Sequence, residues 1–156
     1  MSNQLADNNI NSQTAPYAAF ILRVSLGIMF LAHGVVLKYA TFTLAGTAQY
    51  FESIGYPGFF AYLVFAGETL AGIALIAGFQ TRLVAFASLP ILVGALLEHT
   101  GNGWVFSAQG GGWEYPAFLI VLAVVQGLLG GGKFAITKKE FPLPILANGD
   151  AALATR

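Results

Sequence analysis

Seven ionisable side chains stand in or beside long apolar runs: Arg23, His33, Lys38, Glu68, Glu98, His99 and Glu114. Such a group within a lipid-facing run is costly, and it is retained facing a bundle interior or a water-filled cavity, where it pairs or carries protons and ligands. Glu68 lies deepest in its run, roughly 14 Å from the outer end at the helical rise per residue. Its helical face also carries Val64, Ala71, Gly72 and Leu75, and small residues there mark a close helix contact, so it is expected to point inward. His33 lies roughly 7 Å inside the outer end of the first run. At comparable depth, His33 and Glu68 form a candidate catalytic pair able to relay protons to a bound ligand. The competing reading makes Glu68 a hydrogen-bonded structural acid and His33 an interhelical hydrogen-bond partner.

Around this pair a binding group can be assembled. Lys38, Glu98, His99 and Glu114 all emerge at the outer ends of their runs, and Glu98 shares a stripe with Ala87, Ile91 and Gly94. With His33 they would form an outward-facing polar pocket floored by Glu68; as ordinary interfacial charges they would simply face water. Arg23 lies toward the inner end, where it is expected to snorkel to phosphate headgroups or to pair with Glu68 or Gln126. It completes the candidate substrate-binding set of Arg23, Lys38, Glu98, His99 and Glu114. Gln126, at mid-depth, is expected to act as helix glue. Two histidines on one side raise a bis-histidine b-type haem, which needs facing imidazoles that nothing in the sequence fixes. No metal site is expected. Cysteine is absent, which removes disulfides, thiolate catalysis and cysteine-ligated clusters, so redox chemistry must use a borrowed cofactor or substrate.

The elements that position these residues are membrane helices. Of 156 residues, 56% are hydrophobic and 9% charged, against roughly 25% charged in soluble domains. Four spans are expected: Ala18 to Leu37 as an uncleaved signal anchor, Phe59 to Phe79, Leu83 to about Leu97 with a kink at Pro90, and Tyr115 to Leu129, stopped by Gly130-Gly131-Gly132. The expected fold is all-α, a membrane-spanning four-helix bundle over residues 18–136. Residues 1–17 are read as a disordered cytoplasmic tail and 137–156 as a cytoplasmic C-terminal tail. Arg82, Lys133, Lys138, Lys139 and Arg156 would share one side, against Lys38 on the other, so both termini are expected in the cytoplasm. The loops 38–58 and 98–114 then face outward, the first containing a short interfacial helix marked by Leu44, Ala48 and Phe51. Zero net charge gives no footprint for nucleic acid. The glycine runs Gly110–Gly112 and Gly130–Gly132 lack the setting of a phosphate loop.

Leu22-Arg23 through His33-Gly34 to Lys38, Glu68 in a Gly/Ala-rich span, Gly78 through Thr81-Arg82, and Gly112-Trp113-Glu114-Tyr115-Pro116 together resemble the DoxX family over roughly residues 20–136. One spacing departs: the family usually places the lysine three residues after the glycine of His-Gly, and here Gly34 and Lys38 are four apart. The resemblance implies a four-helix inner-membrane protein and associates relatives with quinone-linked thiosulfate oxidation, oxidative-stress complexes and quinone or catechol resistance. The expectation is a quinone/quinol-linked redox or detoxification component of the plasma membrane, a membrane oxidoreductase subunit with quinone as its ligand. Two alternatives stand beside it: a non-catalytic accessory subunit anchoring a soluble or membrane partner, and a small-solute transporter formed by dimerisation of the chain.

Overall fold

The computed structural model describes residues 13–141, all helix and connecting loop. The outer parts of both expected tails lie outside that range. Helix α1 (Ala15–Leu31) opens with Pro16 in its first turn, where proline's missing N–H costs nothing. It then continues without a break as a π-helix over Ala32–Thr41. A short helix α2 (Leu44–Ser53) follows, capped by the Thr43 hydroxyl, which accepts from Gly46 N at 3.1 Å. It lies in the expected first loop and buries the face centred on Thr47. Helix α3 (Phe59–Ala77) ends at Gly78, whose φ of 72° lets Phe79 N–H reach back to Ala74 O, a glycine stop of the Schellman type.

The third expected span is two helices, α4 (Thr81–Ala87) and α5 (Leu89–His99), parted at Ser88. Pro90 is the cause. Its ring leaves no N–H for the carbonyl one turn back, so the chain restarts at Ser88, whose carbonyl accepts from Ile91 and Leu92. A 3-10 turn at Thr100–Asn102 and a glycine-rich loop lead to α6 (Glu114–Leu129). By length and composition three segments can cross a membrane: Ala15–Thr41, Phe59–Ala77 and Thr81–Asn102. α6 is equally apolar but only 16 residues long, roughly 24 Å, because Pro116 and the Gly130–Gly132 stop bound it closely.

The helices meet around Leu26, Phe30, Leu75, Leu92, Leu119 and Ala123. Outside that core, large apolar side chains such as Ile21, Leu63, Leu70 and Phe118 lie exposed, the pattern of a surface solvated by lipid rather than water. The tightest contact joins α1 to α3 at two glycines. A Cβ on Gly27 would stand 2.8 Å from Gly72 O, and one on Gly72 would stand 2.9 Å from Gly27 O. Backbones approach this closely only where side chains are missing.

One end of the helical body is closed by the chain after α6. Lys133 N–H donates to Pro16 O, Ile136 N–H to Ala77 O and Thr137 N–H to Gly78 O. Residues 137–141, placed in a tail by the sequence reading, pack on the α3–α4 turn: Thr137 Oγ1 accepts from Gln80 N, and Glu140 Oε2 from Arg82 N. Arg23 is the centre of this end, and it corrects the expectation of a snorkelling or carboxylate-paired cation. It is fully buried. Its Nη1 donates to Leu75 O and Ile76 O at 2.6 Å each, its Nε to Gly131 O at 3.0 Å and its Nη2 to Lys133 O at 3.2 Å. A cation among the last carbonyls of α3 meets the negative end of that helix dipole. Gln126 likewise holds its own helix end, donating to Gly130 O at 2.7 Å.

The glycine contact yields a test. Gly72→Leu should destabilise the folded protein by about 1–3 kcal/mol, the usual cost of overpacking, read as a lowered thermal midpoint in detergent. Gly94→Ala, where an added Cβ meets nothing within 4 Å, should leave the midpoint unchanged. Equal midpoints for all three proteins would show that α1 and α3 do not meet through these glycines.

Candidate functional site

At the opposite end the body holds a cavity of roughly 1060 Å³, at the upper end of the size range of small-molecule sites. Its deep wall is apolar, formed by Leu26, Met29, Phe30, Leu92 and Leu119, and α2 and the loop before α6 border its upper part. Four of the residues singled out from sequence line it: His33, Lys38, Glu68 and His99.

The centre of the polar side is an ion pair between Lys38 and Glu68. Lys38 Nζ lies 2.8 Å from both carboxylate oxygens, and both side chains are largely buried. Sequence reasoning gave Glu68 an inward position and left its partner open between His33 and Arg23. The partner is Lys38, and the π-helix is the local reason. Its i→i+5 bonds take up one more residue per turn than an α-helix, and Gly34 and Lys38 both fall inside those turns. Gly34 sets the depth of contact: a Cβ there would come 3.2 Å from Glu68 Cβ and 3.0 Å from Thr69 Oγ1. Glycine therefore lets the π segment lie directly on α3 beside Glu68. The Lys38 carbonyl accepts from Thr47 Oγ1 at 3.2 Å, which ties this turn to α2.

His33 does not bond to Glu68. Its ring has no hydrogen-bond partner among the described residues and stacks on Tyr115, with centroids 6.0 Å apart. The Tyr115 hydroxyl is itself buried without a hydrogen-bond partner there, and this residue too lines the cavity. His99 Nδ1 is 2.7 Å from Ala95 O. A carbonyl only accepts, so Nδ1 donates this bond and Nε2 makes none. That edge of the ring borders Gly111 on the cavity wall. An unbonded imidazole at His33, the outer edge of the His99 ring and the unpartnered Tyr115 phenol thus share one cavity with the ion pair.

The remaining candidates stand elsewhere. Arg23 is at the closed end, its donors bonded to four backbone carbonyls, and it does not line the cavity. Glu98 accepts from Tyr50 Oη at 3.3 Å, a link between α5 and α2 outside the cavity lining. Glu114 Oε1 accepts from Phe106 N at 2.8 Å and so fixes the loop before α6. Tyr50 and Tyr115 line the cavity but were not singled out from sequence. Tyrosines at membrane interfaces are common, so residue type gave no signal that could have selected these two. Burial first, and then the adjacent Glu98 carboxylate, push the Tyr50 phenol above the ordinary tyrosine range. It therefore stays a donor to Glu98 at neutral pH, and that bond is lost only as pH rises through the raised value. No three His, Asp or Glu side chains among the described residues come together as a metal site.

The ion pair carries a prediction about stability. Lys38→Met should cost about 3–5 kcal/mol, because it strands a buried carboxylate. Lys38→Met combined with Glu68→Leu should recover most of that loss, since neither charge is then left alone. Thermal unfolding of the purified variants measures both. A single variant as stable as the wild type would show that the pair does not form.

The DoxX family matches residues 18–101, more than half of the chain. The chain is 39% identical over 77 residues to a Bacillus subtilis (strain 168) protein named "Putative oxidoreductase CatD", a stretch covering 49% of this chain and 55% of that protein. The chain thus matches about half the length of that curated relative. No solved structure matches it. The match begins at the start of α1 and runs through the 3-10 turn after α5, taking in His33, Gly34, Lys38, Glu68 and His99. This chain belongs to the DoxX family of membrane proteins.

Proposed function

We propose that the chain is a multi-pass inner-membrane component that binds a quinone or quinol in this cavity and handles its protons. The observation that carries this reading is the convergence of the Lys38–Glu68 pair, His33 and His99 on one apolar, aromatic-walled space within membrane helices. Phe30, Phe42, Phe51, Phe106 and Tyr115 offer faces for a flat ring. His33 and Lys38 can donate to ring oxygens, and the lone pair on His99 Nε2 can accept a hydroxyl proton. The name of the Bacillus subtilis relative points the same way.

A bound quinone supplies the redox chemistry, taking up two electrons and two protons to become the quinol. The residues here supply the protons and the pocket. His33 and His99 would each exchange one of the two protons with a ring oxygen. Lys38, shared between Glu68 and the ligand, holds the opposite oxygen. The electrons pass to or from a separate redox protein that docks at the cavity end.

Glu68→Gln preserves size and hydrogen-bonding capacity while removing the charge that holds Lys38. It should still insert, with a lowered thermal midpoint because Lys38 loses its partner, and it should lose quinone binding by at least about tenfold at temperatures where it stays folded, with His33→Asn giving a similar, smaller defect. Titration of purified protein with a benzoquinone, followed by absorbance and by lipid extraction, measures this. Unchanged binding in Glu68→Gln would sink the proton-handling role and favour an accessory, anchoring subunit.

The same reading places the closed end in the cytoplasm. Arg82, Lys133, Lys138 and Lys139 all lie at or beside that end, and Lys38 lies at the other, the asymmetry that orients membrane helices. A cytoplasmic reporter fused at the C-terminus should be active, and an external reporter inserted near Trp104 should be active too. The reverse pattern would overturn the orientation.

A further inference from the structure

A second hollow, of roughly 500 Å³, lies against the N-terminal half of α6 and is lined by Trp104, Phe106, Glu114, Tyr115, Ala117, Phe118 and Val121. Phe106 and Tyr115 line both this groove and the main cavity, so the two spaces share a wall. The groove opens on the surface of the helical body: Trp104, Phe106, Phe118 and Val121 are all more than half exposed, and its lining is almost wholly apolar, as suits contact with lipid. Phe106 is 68% exposed. Its backbone is pinned by the bond from its N–H to Glu114 Oε1, but among the described residues its ring stacks on no other aromatic. A ring this exposed, with no aromatic partner, has few contacts to hold it in one position. Tyr115 brings a buried, unpartnered hydroxyl to the shared wall, where a ligand's polar head would meet its apolar chain.

We infer that this groove takes the hydrocarbon tail of the ligand whose head group occupies the main cavity, the chain passing between Phe106 and Tyr115 into the bilayer. The ligand class is then a membrane-borne amphiphile with one long apolar tail, in place of a small water-soluble ring compound. This rests on the quinone reading for the head group alone; the tail site stands on the wall of Phe106 and Tyr115 that the two spaces share and on the apolar, exposed groove. Phe106 and Tyr115 become the portal, and the ligand enters sideways from the membrane.

The test uses the full-length protein in lipid nanodiscs and two probes, 2,3-dimethoxy-5-methyl-1,4-benzoquinone with and without a decyl tail, compared at equal concentration in the membrane. In the wild type the tail should improve affinity by about tenfold or more. Ala117→Phe and Val121→Phe fill the groove with carbon from positions that do not themselves line the main cavity. Each should bring the tailed probe down to the affinity of the tail-less one, with tail-less binding unchanged. A tail advantage that is absent in the wild type, or that survives both substitutions, overturns the inference. If neither quinone binds, the head-group reading fails, and 12-bromododecanol then decides the groove separately. Both tryptophans of the chain, Trp104 and Trp113, stand together with ring centroids 4.4 Å apart, so bromine in the groove should quench their fluorescence in the wild type but not in Ala117→Phe. Quenching that is absent, or equal in both proteins, overturns the tail site.

Discussion

The guanidinium of Arg23 holds one end of the molecule together, and the rest of the architecture follows from that. In an apolar surrounding every carbonyl left over at a helix end must find a donor. Arg23 gives α3 two, and the loop after α6 two more, from within α1. Three parts of the chain far apart in sequence are thereby fixed at one point, with Phe20 beneath the cation at 5.3 Å. Hydrogen bonds from a charged donor are about twice as strong as neutral ones. They form here without an opposing carboxylate in contact, because helix-end carbonyls carry the partial negative charge.

With that end closed, the helices are free to diverge at the other, where the Lys38–Glu68 pair takes over. The two ends solve the same problem differently. Arg23 is saturated by backbone and sealed from any ligand. Lys38 and Glu68 saturate only each other, on the wall of a cavity that also holds unpartnered ring nitrogens and a phenol. A buried ion pair contributes little net stability, since desolvation offsets most of the attraction. Its value here lies in keeping a charged pair available within an apolar space, where a polar ligand can compete for one partner.

The π-helical winding of Ala32–Thr41 sets which way Lys38 faces. It holds more residues per turn than a regular α-helix, and with that winding Lys38 comes to Glu68. The cost of a poorer helix is borne on the segment that supplies His33, Gly34 and Lys38 to the site.

The sequence by itself determined the class of the molecule and the placement of its costly residues. Low charge, long apolar runs and glycine stops require membrane helices, because an unbroken apolar run of that length satisfies its own backbone in lipid as a helix. Gly72 beside Glu68 marked the inward face of α3, and the residues around His33, Lys38 and Glu68 carried the resemblance to the family. What the sequence could not decide is which charge meets which. That depends on where helices far apart in the chain cross and how each is wound. Depth along a helix suggested His33 for Glu68, with Arg23 as an alternative partner; rotation about the helix, set by the π turns and by the contact of Gly34 with α3, delivered Lys38. Arg23 looked like a headgroup anchor because its partners are carbonyls, and every residue has one. Only tertiary structure shows which carbonyls are left without a donor of their own. The break at Ser88 was legible in Pro90, whereas the cavity and its groove exist only where α1, α5, α6 and the loop before α6 come together, and no local pattern records that meeting.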